Sequence, residues 1–291
     1  MNEKGPTMTA KKNIIEFWRV YKQRKTAVLG LFIVIIFILA LVLAPYITPH
    51  DPDKRFKERF APPSWEHILG TNDIGNDIFS ELLYAGRVSL TVGLVAASII
   101  VFIGSLIGIL SGYYGGLLDE LLMRITDIVL ILPRLPLMIV LAAYLGPGIG
   151  TIIFVYSLVG WATLARPIRA QVLSIKENTY IEASREMGAG NFHIMVSHVL
   201  PNIMGIIIAY SVVEIMYAIL TEAGLSFLGL GDPTIKSWGV MLYFAQAQGA
   251  FMQNAWWWIV PPGLAIAIIN CGFNFIATAL NDLFSLKLGK R

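Results

Sequence analysis

Six long apolar segments separated by polar stretches are the feature that most constrains this sequence. Most approach the roughly 20 residues that an α-helix needs to cross a bilayer. A composition of 56% hydrophobic and 14% charged residues is typical of the same class. The sequence therefore predicts an all-α polytopic membrane protein with six transmembrane helices. The predicted spans are residues 28–48, 88–112, 125–145, 151–165, 203–220 and 259–280.

The charge distribution predicts how the chain is oriented. Residues 1–27 mix basic and apolar side chains at helical spacing, which indicates a cytosolic amphipathic segment. The apolar run that follows is too long for a cleaved signal peptide, so we expect a retained helix. Residues 49–86 are polar and richer in acidic groups, as expected of an extracytoplasmic loop. Residues 87–281 then form the transmembrane core, and residues 282–291 form a basic cytosolic tail.

A hydrophilic island at residues 174–202 lies between the fourth and fifth predicted spans. Thr179 and Glu182 fit a capping box, in which Thr179 caps the helix start and Glu182 reaches back to its amide. This pattern predicts a short helix, and Gly188 is placed to end it.

A second short helix is expected after this glycine. Asn191 is a suitable cap, and the helix would extend to His198 before Pro201 marks the return to the bilayer. A helix–glycine–helix elbow at a membrane surface suits docking into another protein. The alternative is an ordinary cytosolic loop.

The spacing within this island resembles a known motif. Glu182-Ala183-Ser184, followed by Gly188 and then by Val199-Leu200-Pro201, resembles the Glu-Ala-Ala loop of ABC importer permeases. Ser184 replaces the second alanine of that motif. The stretch from His67 to Ser80 resembles the C-type permeases of the dipeptide, oligopeptide and nickel group, although Asn72, Asn76 and Glu81 depart from their pattern. The resemblance extends over residues 15–286.

The resemblance implies a transmembrane subunit of a type I ABC importer in a prokaryotic cytoplasmic membrane. It implies four kinds of partner: a homologous B-type permease, two ABC ATPase subunits, an extracytoplasmic substrate-binding protein and the lipid bilayer, with no nucleic acid. This chain has no GxxxxGK[ST] phosphate loop. We therefore expect a non-enzymatic subunit without a cofactor, with ATP and magnesium on the ATPase partners.

The same resemblance implies which residues couple the permease to the ATPase. Glu182 and Arg185 would make polar contacts, and Ala183 and Ser184 would fit the groove of the ATPase. Gly188 would allow the elbow. None of these residues is expected to be catalytic.

Charged residues inside the predicted spans are the second group of candidates. Arg134 follows Pro133 in the third span, which the two prolines of this stretch are expected to kink, and Glu214 lies in the fifth span. At about 1.5 Å per residue they lie about 15 and 18 Å into the membrane, so we hypothesise a buried pair beside the translocation path. Alternatively, each faces a water-filled cavity separately. Glu222 is a further candidate for the path.

The glycines Gly104, Gly108 and Gly112 recur every four residues on one face of the second span. Such a face lets another helix approach closely. The partner helix belongs either to the second permease or to this chain, and the sequence favours neither.

No metal site is predicted. The four histidines are scattered without HExxH spacing, the single cysteine is Cys271, and the acidic residues of the outer loop lack EF-hand spacing.

Substrate identity rests on family frequency alone, which favours dipeptides or oligopeptides. The same machinery carrying nickel chelates or oligosaccharides is an alternative. An ion-coupled secondary carrier would use Arg134, Glu214 and Glu222 as coupling groups. A non-transporting membrane scaffold is a third possibility.

Overall fold

A computed structural model describes Tyr21, Lys22 and residues 24–288, with side chains described through residue 283. The predicted amphipathic segment, residues 1–27, lies largely outside these residues. The described part is helical and contains no β-strand. Its helices are α1 Lys25–Val42, α2 Ala44–Ile47, α3 Ile78–Tyr114, α4 Gly116–Ile131, α5 Arg134–Leu145, α6 Ile149–Lys176, α7 Thr179–Glu186, α8 Asn191–Ile194, α9 Leu200–Leu225, α10 Trp238–Ala247 and α11 Trp256–Leu288.

Five helical stretches are long and apolar enough to cross a membrane. The bent pair α4 and α5 makes a sixth if the pair is counted as one span. The prediction of an all-α polytopic membrane protein is therefore confirmed.

Four helices, α3, α6, α9 and α11, are longer than the spans predicted from the sequence. The helix that contains the fourth predicted span does not end at residue 165, because α6 continues through Pro167 to Lys176. Its extension buries Ile168 and Val172 in an apolar cluster, and this packing outweighs the hydrogen bond lost at the proline. Helix α3 begins at Ile78, so it contains the end of the predicted outer loop as well as the second predicted span.

The third span is broken rather than kinked. Helices α4 and α5 meet at an angle of 86°. Leu132 is extended, as expected of a residue that precedes a proline, and Pro133 is the cap residue from which α5 starts. Arg134 is thus the first residue of a new helix and lies directly at the break.

The glycine face of α3 packs within this chain. A Cβ atom added to Gly104 or Gly108 would lie 2.7 Å from a backbone oxygen of α6, and one added to Gly112 would lie 2.8 Å from Val172. These distances are too short for a side chain, so the glycines allow α3 and α6 to touch. The structure thereby decides between the two partners that the sequence left open.

The segment that joins α2 to α3, residues 48–77, is held by buried polar groups. Asn72 donates a 3.1 Å hydrogen bond to Glu81, which forms a 2.8 Å ion pair with Lys236. Burial opposes the charge on Lys236, but the carboxylates of Glu81 and Asp53 together outweigh it and raise the pKa of the ammonium group. Two of the positions that depart from the family pattern therefore support one another.

The same segment corrects the prediction that the histidines form no cluster. The rings of His50 and His67 are 5.1 Å apart, and Nδ1 of His67 lies 2.9 Å from Oδ1 of Asp77. Linear spacing did not indicate this, because the chain folds back on itself between these residues.

Candidate functional site

The elbow begins with α7, which the sequence placed correctly. Gly188 has φ +84°, and its amide donates to the Arg185 carbonyl while the Ala189 amide donates to the Ser184 carbonyl. This pair of bonds is a Schellman motif, and a glycine suits its left-handed position. The capping box is not formed, because Asn178 is the cap residue and makes no side-chain capping bond.

The second helix of the elbow does not end at His198. Helix α8 starts at Asn191 and passes through a π-helical turn, Met195–Val199, directly into α9. Pro201 has no amide hydrogen to donate to the preceding turn, and the chain accommodates this loss directly after the π-helical turn. The elbow and the fifth span are therefore one continuous helix of changing pitch.

The candidate coupling residues divide between two faces. Glu182, Ala183, Arg185 and Gly188 are exposed. Ser184 is buried, and its hydroxyl lies 3.3 Å from Nε2 of His198. The expectation that Ser184 fits a groove on a partner is corrected, because this side chain faces the inside of the elbow.

Two exposed apolar residues were missed by sequence reasoning. Met187 is 82% exposed and Phe192 is 76% exposed, one on each side of the glycine turn. The sequence contains an indication of both residues, because large apolar side chains are unusual within a hydrophilic segment. Isolated exposed apolar groups are common, but two that flank one short turn indicate a contact surface.

Polar contacts hold the elbow and the helix that leads into it. The Tyr113 hydroxyl donates a 2.9 Å hydrogen bond to Asn191. Arg169 of α6 binds both carboxylate oxygens of Asp119 in α4 at 2.6 Å. Such bidentate pairs fix geometry more strictly than single contacts, so α4 and the elbow end of α6 hold a defined relative position.

A polar cluster surrounds the break between α4 and α5. The Arg134 guanidinium lies over the ring of Tyr156, with 4.8 Å from its carbon to the ring centre. Glu214 accepts hydrogen bonds from the Tyr156 hydroxyl at 3.0 Å and from the Thr163 hydroxyl at 3.2 Å. No ion pair joins Arg134 to Glu214 among the described residues. The hypothesised direct pair is corrected to an arrangement in which Tyr156 contacts both charges.

Arg134 retains unused hydrogen-bonding capacity. Its Nε and Nη2 atoms are buried and have no hydrogen-bond partner in the described part of the chain. A buried N–H group without a partner is costly, and an arginine within a membrane span is costly as well. These costs are typical of a residue retained for function.

Glu222 belongs to a different cluster. It is 1% exposed and accepts hydrogen bonds from three serine hydroxyls, those of Ser89 at 3.0 Å, Ser226 at 2.8 Å and Ser237 at 2.6 Å. These serines lie in α3, directly after α9 and directly before α10. Glu222 therefore joins three parts of the fold and does not share the cluster of Arg134.

The fold and the elbow together define a polytopic α-helical membrane protein with a short helical elbow between two of its spans. The chain belongs to the family described as the binding-protein-dependent transport system inner membrane component, whose model matches residues 104–290. Residues 14–63 match the N-terminal transmembrane domain of oligopeptide transport permease C.

Similar proteins extend over nearly the whole chain. The dipeptide transport system permease protein DppC of Bacillus subtilis is 38% identical over 93% of this chain and 85% of that protein. The dipeptide permease DppC of Haemophilus influenzae is 35% identical over 99% of both chains. The oligopeptide permease OppC of Bacillus subtilis is 35% identical over 98% of this chain and 95% of that protein.

The expectation of an ABC importer permease is thereby confirmed. The chain is a multi-pass permease subunit of the inner membrane and not itself an enzyme. Its family implies ATPase and substrate-binding partners.

Proposed function

We propose that this chain is the C-type permease of an ATP-driven importer that moves dipeptides or oligopeptides by alternating access. It pairs with a homologous B-type permease, two ABC ATPase subunits and an extracytoplasmic binding protein in a prokaryotic cytoplasmic membrane. Both termini are cytosolic, and ATP and magnesium are bound by the ATPases. The peptide substrate is supported by the names of the relatives, which are dipeptide and oligopeptide permeases.

The observation that carries the proposal is the geometry of the elbow. A short helix closed by a Schellman motif presents Glu182, Arg185 and Met187 to the outside, and the elbow continues without interruption into the fifth span. An ATPase that binds this surface and changes conformation therefore moves the helix of the fifth span directly. Mechanical coupling of this kind needs no catalytic residue in the permease.

The experiment is co-purification of the tagged chain from its native host in mild detergent, followed by an ATPase assay. We expect an ATPase subunit to co-purify with the wild type and to be depleted in Met187→Asp and Phe192→Asp. Phe251→Asp is the matched control. Phe251 is exposed to a similar extent, at 70%, but it lies between α10 and α11, away from the elbow. A chain that purifies alone and without ATPase activity would contradict the proposal and favour an ion-coupled carrier.

Within this function, we propose that Arg134 borders the translocation path. Its unpaired guanidinium nitrogens lie at a break between two helices, where movement of the spans can expose them to a substrate. We expect Arg134→Ala to assemble normally and to change which peptides are taken up. Loss of assembly that Glu214→Ala partly restores would instead assign the arginine a structural role.

A further inference from the structure

We propose that His50, His67 and Asp77 bind a divalent transition-metal ion, with zinc as the best match, in the segment between α2 and α3. One potential ligand atom from each residue lies within 4.8 Å of those from the other two. The proposal concerns a site that transport by the elbow and the spans does not require. Its failure would leave the proposed function unaffected.

The first argument is the contact between His67 and Asp77. Both side chains are buried, with relative exposures of 4% and 0%, and the nitrogen lies 2.9 Å from the oxygen. In this contact a hydrogen bridges the two ligand atoms. Neighbouring ligand atoms on one tetrahedral zinc ion are about 3.4 Å apart, for bonds of about 2.1 Å. A metal ion can therefore replace the bridging proton with little movement of this buried pair.

The second argument is the support behind the ligands. The other carboxylate oxygen of Asp77 accepts hydrogen bonds from the amide and the hydroxyl of Ser80, at 2.9 and 2.7 Å. Nε2 of His50 lies 3.0 Å from the carbonyl oxygen of Glu66. Because a carbonyl only accepts, this nitrogen carries the hydrogen, and Nδ1 of a neutral His50 keeps a free lone pair. Hydrogen bonds of both kinds are typical of the outer shell of metal sites.

The third argument concerns His50 itself. A buried histidine–aspartate pair that braces the start of α3 explains His67 and Asp77, but it does not explain why a second imidazole converges on them. His50 is half-buried, and its ring is 4.7 Å from that of Phe56 and 5.1 Å from that of His67. Ligand atoms that lie within 4.8 Å of one another need to close by about 1.5 Å to reach the ligand spacing around zinc.

The donor set selects the class of ion. Two imidazoles and one carboxylate suit zinc and its neighbours in the first transition series, whereas calcium and magnesium prefer oxygen ligands throughout. A bound ion would connect the beginning of the segment, at His50, to its end, at Asp77. It would therefore restrict the movement of this loop by linking its two ends.

The test is zinc binding by the full-length chain, purified in detergent with its partner subunits through a tag that contains no histidine. Equilibrium dialysis against micromolar free zinc is compared for the wild type, His50→Ala and the control His193→Ala, which removes a histidine in the elbow. We expect the wild type to bind one zinc ion more than His50→Ala, or to bind it at least about tenfold more tightly. We expect the control to match the wild type.

His50→Ala is chosen because it leaves the buried pair and the start of α3 intact. A second readout is cobalt(II), which gives intense visible absorption in a four-coordinate site. Equal zinc binding by the wild type and His50→Ala, or no cobalt spectrum that depends on His50, would overturn the proposal. In that case His67 and Asp77 would serve only to brace the helix.

Discussion

Tyr156 lies under the guanidinium of Arg134, at 4.8 Å from ring centre to guanidinium carbon, and its hydroxyl binds Glu214 at 3.0 Å. The face of an aromatic ring attracts a cation, and a phenol hydroxyl donates to an anion. One side chain thus contacts two opposite charges in a membrane span without allowing them to meet. The arginine remains free to donate elsewhere.

Substitution of Tyr156 separates these two contacts. We expect Tyr156→Phe to lose the bond to Glu214, at a cost of about 1.5–3 kcal/mol, while the ring still supports Arg134. Tyr156→Leu loses both contacts and should be less stable by about a further 2 kcal/mol. The midpoints of thermal unfolding of the solubilised complexes give the order of stability of the wild type and the two variants. Equal midpoints for the two variants would show that the ring contributes nothing to the binding of Arg134.

Glu222 provides a second prediction. Glu222→Leu leaves three buried serine hydroxyls without their acceptor, each at a cost of about 1–3 kcal/mol. We therefore expect this variant to yield little folded, monodisperse protein. In Glu222→Gln the amide oxygen still accepts, and the serine hydroxyls can rotate to accept from its nitrogen, so this variant should remain folded. Size-exclusion chromatography of detergent extracts distinguishes them. A monodisperse leucine variant would contradict the assigned structural role.

The glycine face of α3 provides a third prediction. Gly108→Ala puts a Cβ atom 2.7 Å from the Ala165 carbonyl, so α3 and α6 must separate, and we expect a loss of about 1–3 kcal/mol. Gly224→Ala is the matched control, since it is also helical but has no atom within 4 Å of the added carbon. The control should be neutral or slightly stabilising. Thermal unfolding of both variants measures the difference, and equal loss in both would exclude close packing as the cause.

The turn of the elbow provides a fourth prediction. Gly188→Ala forces an alanine into a left-handed conformation, which costs roughly 1–2 kcal/mol and loosens the end of α7. Gly190→Ala occupies an ordinary extended conformation with open space around it, so it should behave as the wild type. We expect Gly188→Ala to lower peptide uptake per ATP hydrolysed in proteoliposomes. If both variants couple normally, a fixed turn is not needed for transmission.

The sequence predicted those parts of the molecule that depend on local patterns. The apolar lengths predicted the membrane helices, and the glycine period predicted a close helix contact. The position of α7 also followed from local signals, because Gly188 ends it. These features depend on residues near one another in the chain, so they can be recognised without the fold.

The features that the sequence did not predict depend on tertiary contacts. Nothing local indicates that Tyr156 separates Arg134 from Glu214, since the three come from different helices. The orientation of Ser184 was missed because its inward partner, His198, lies 14 residues away. The fourth span was predicted to end at residue 165, but burial of the residues that follow Pro167 compensates for the hydrogen bond lost there, so the helix continues.

The continuity from Asn191 to Leu225 has a mechanical consequence. These 35 residues span about 52 Å at about 1.5 Å per residue. If this rod tilts by about 5° as one body, one end moves by about 4.5 Å relative to the other, given that length. If the fulcrum lies within the bilayer, the two ends swing in opposite directions. A push at the elbow then closes one side of the membrane as it opens the other.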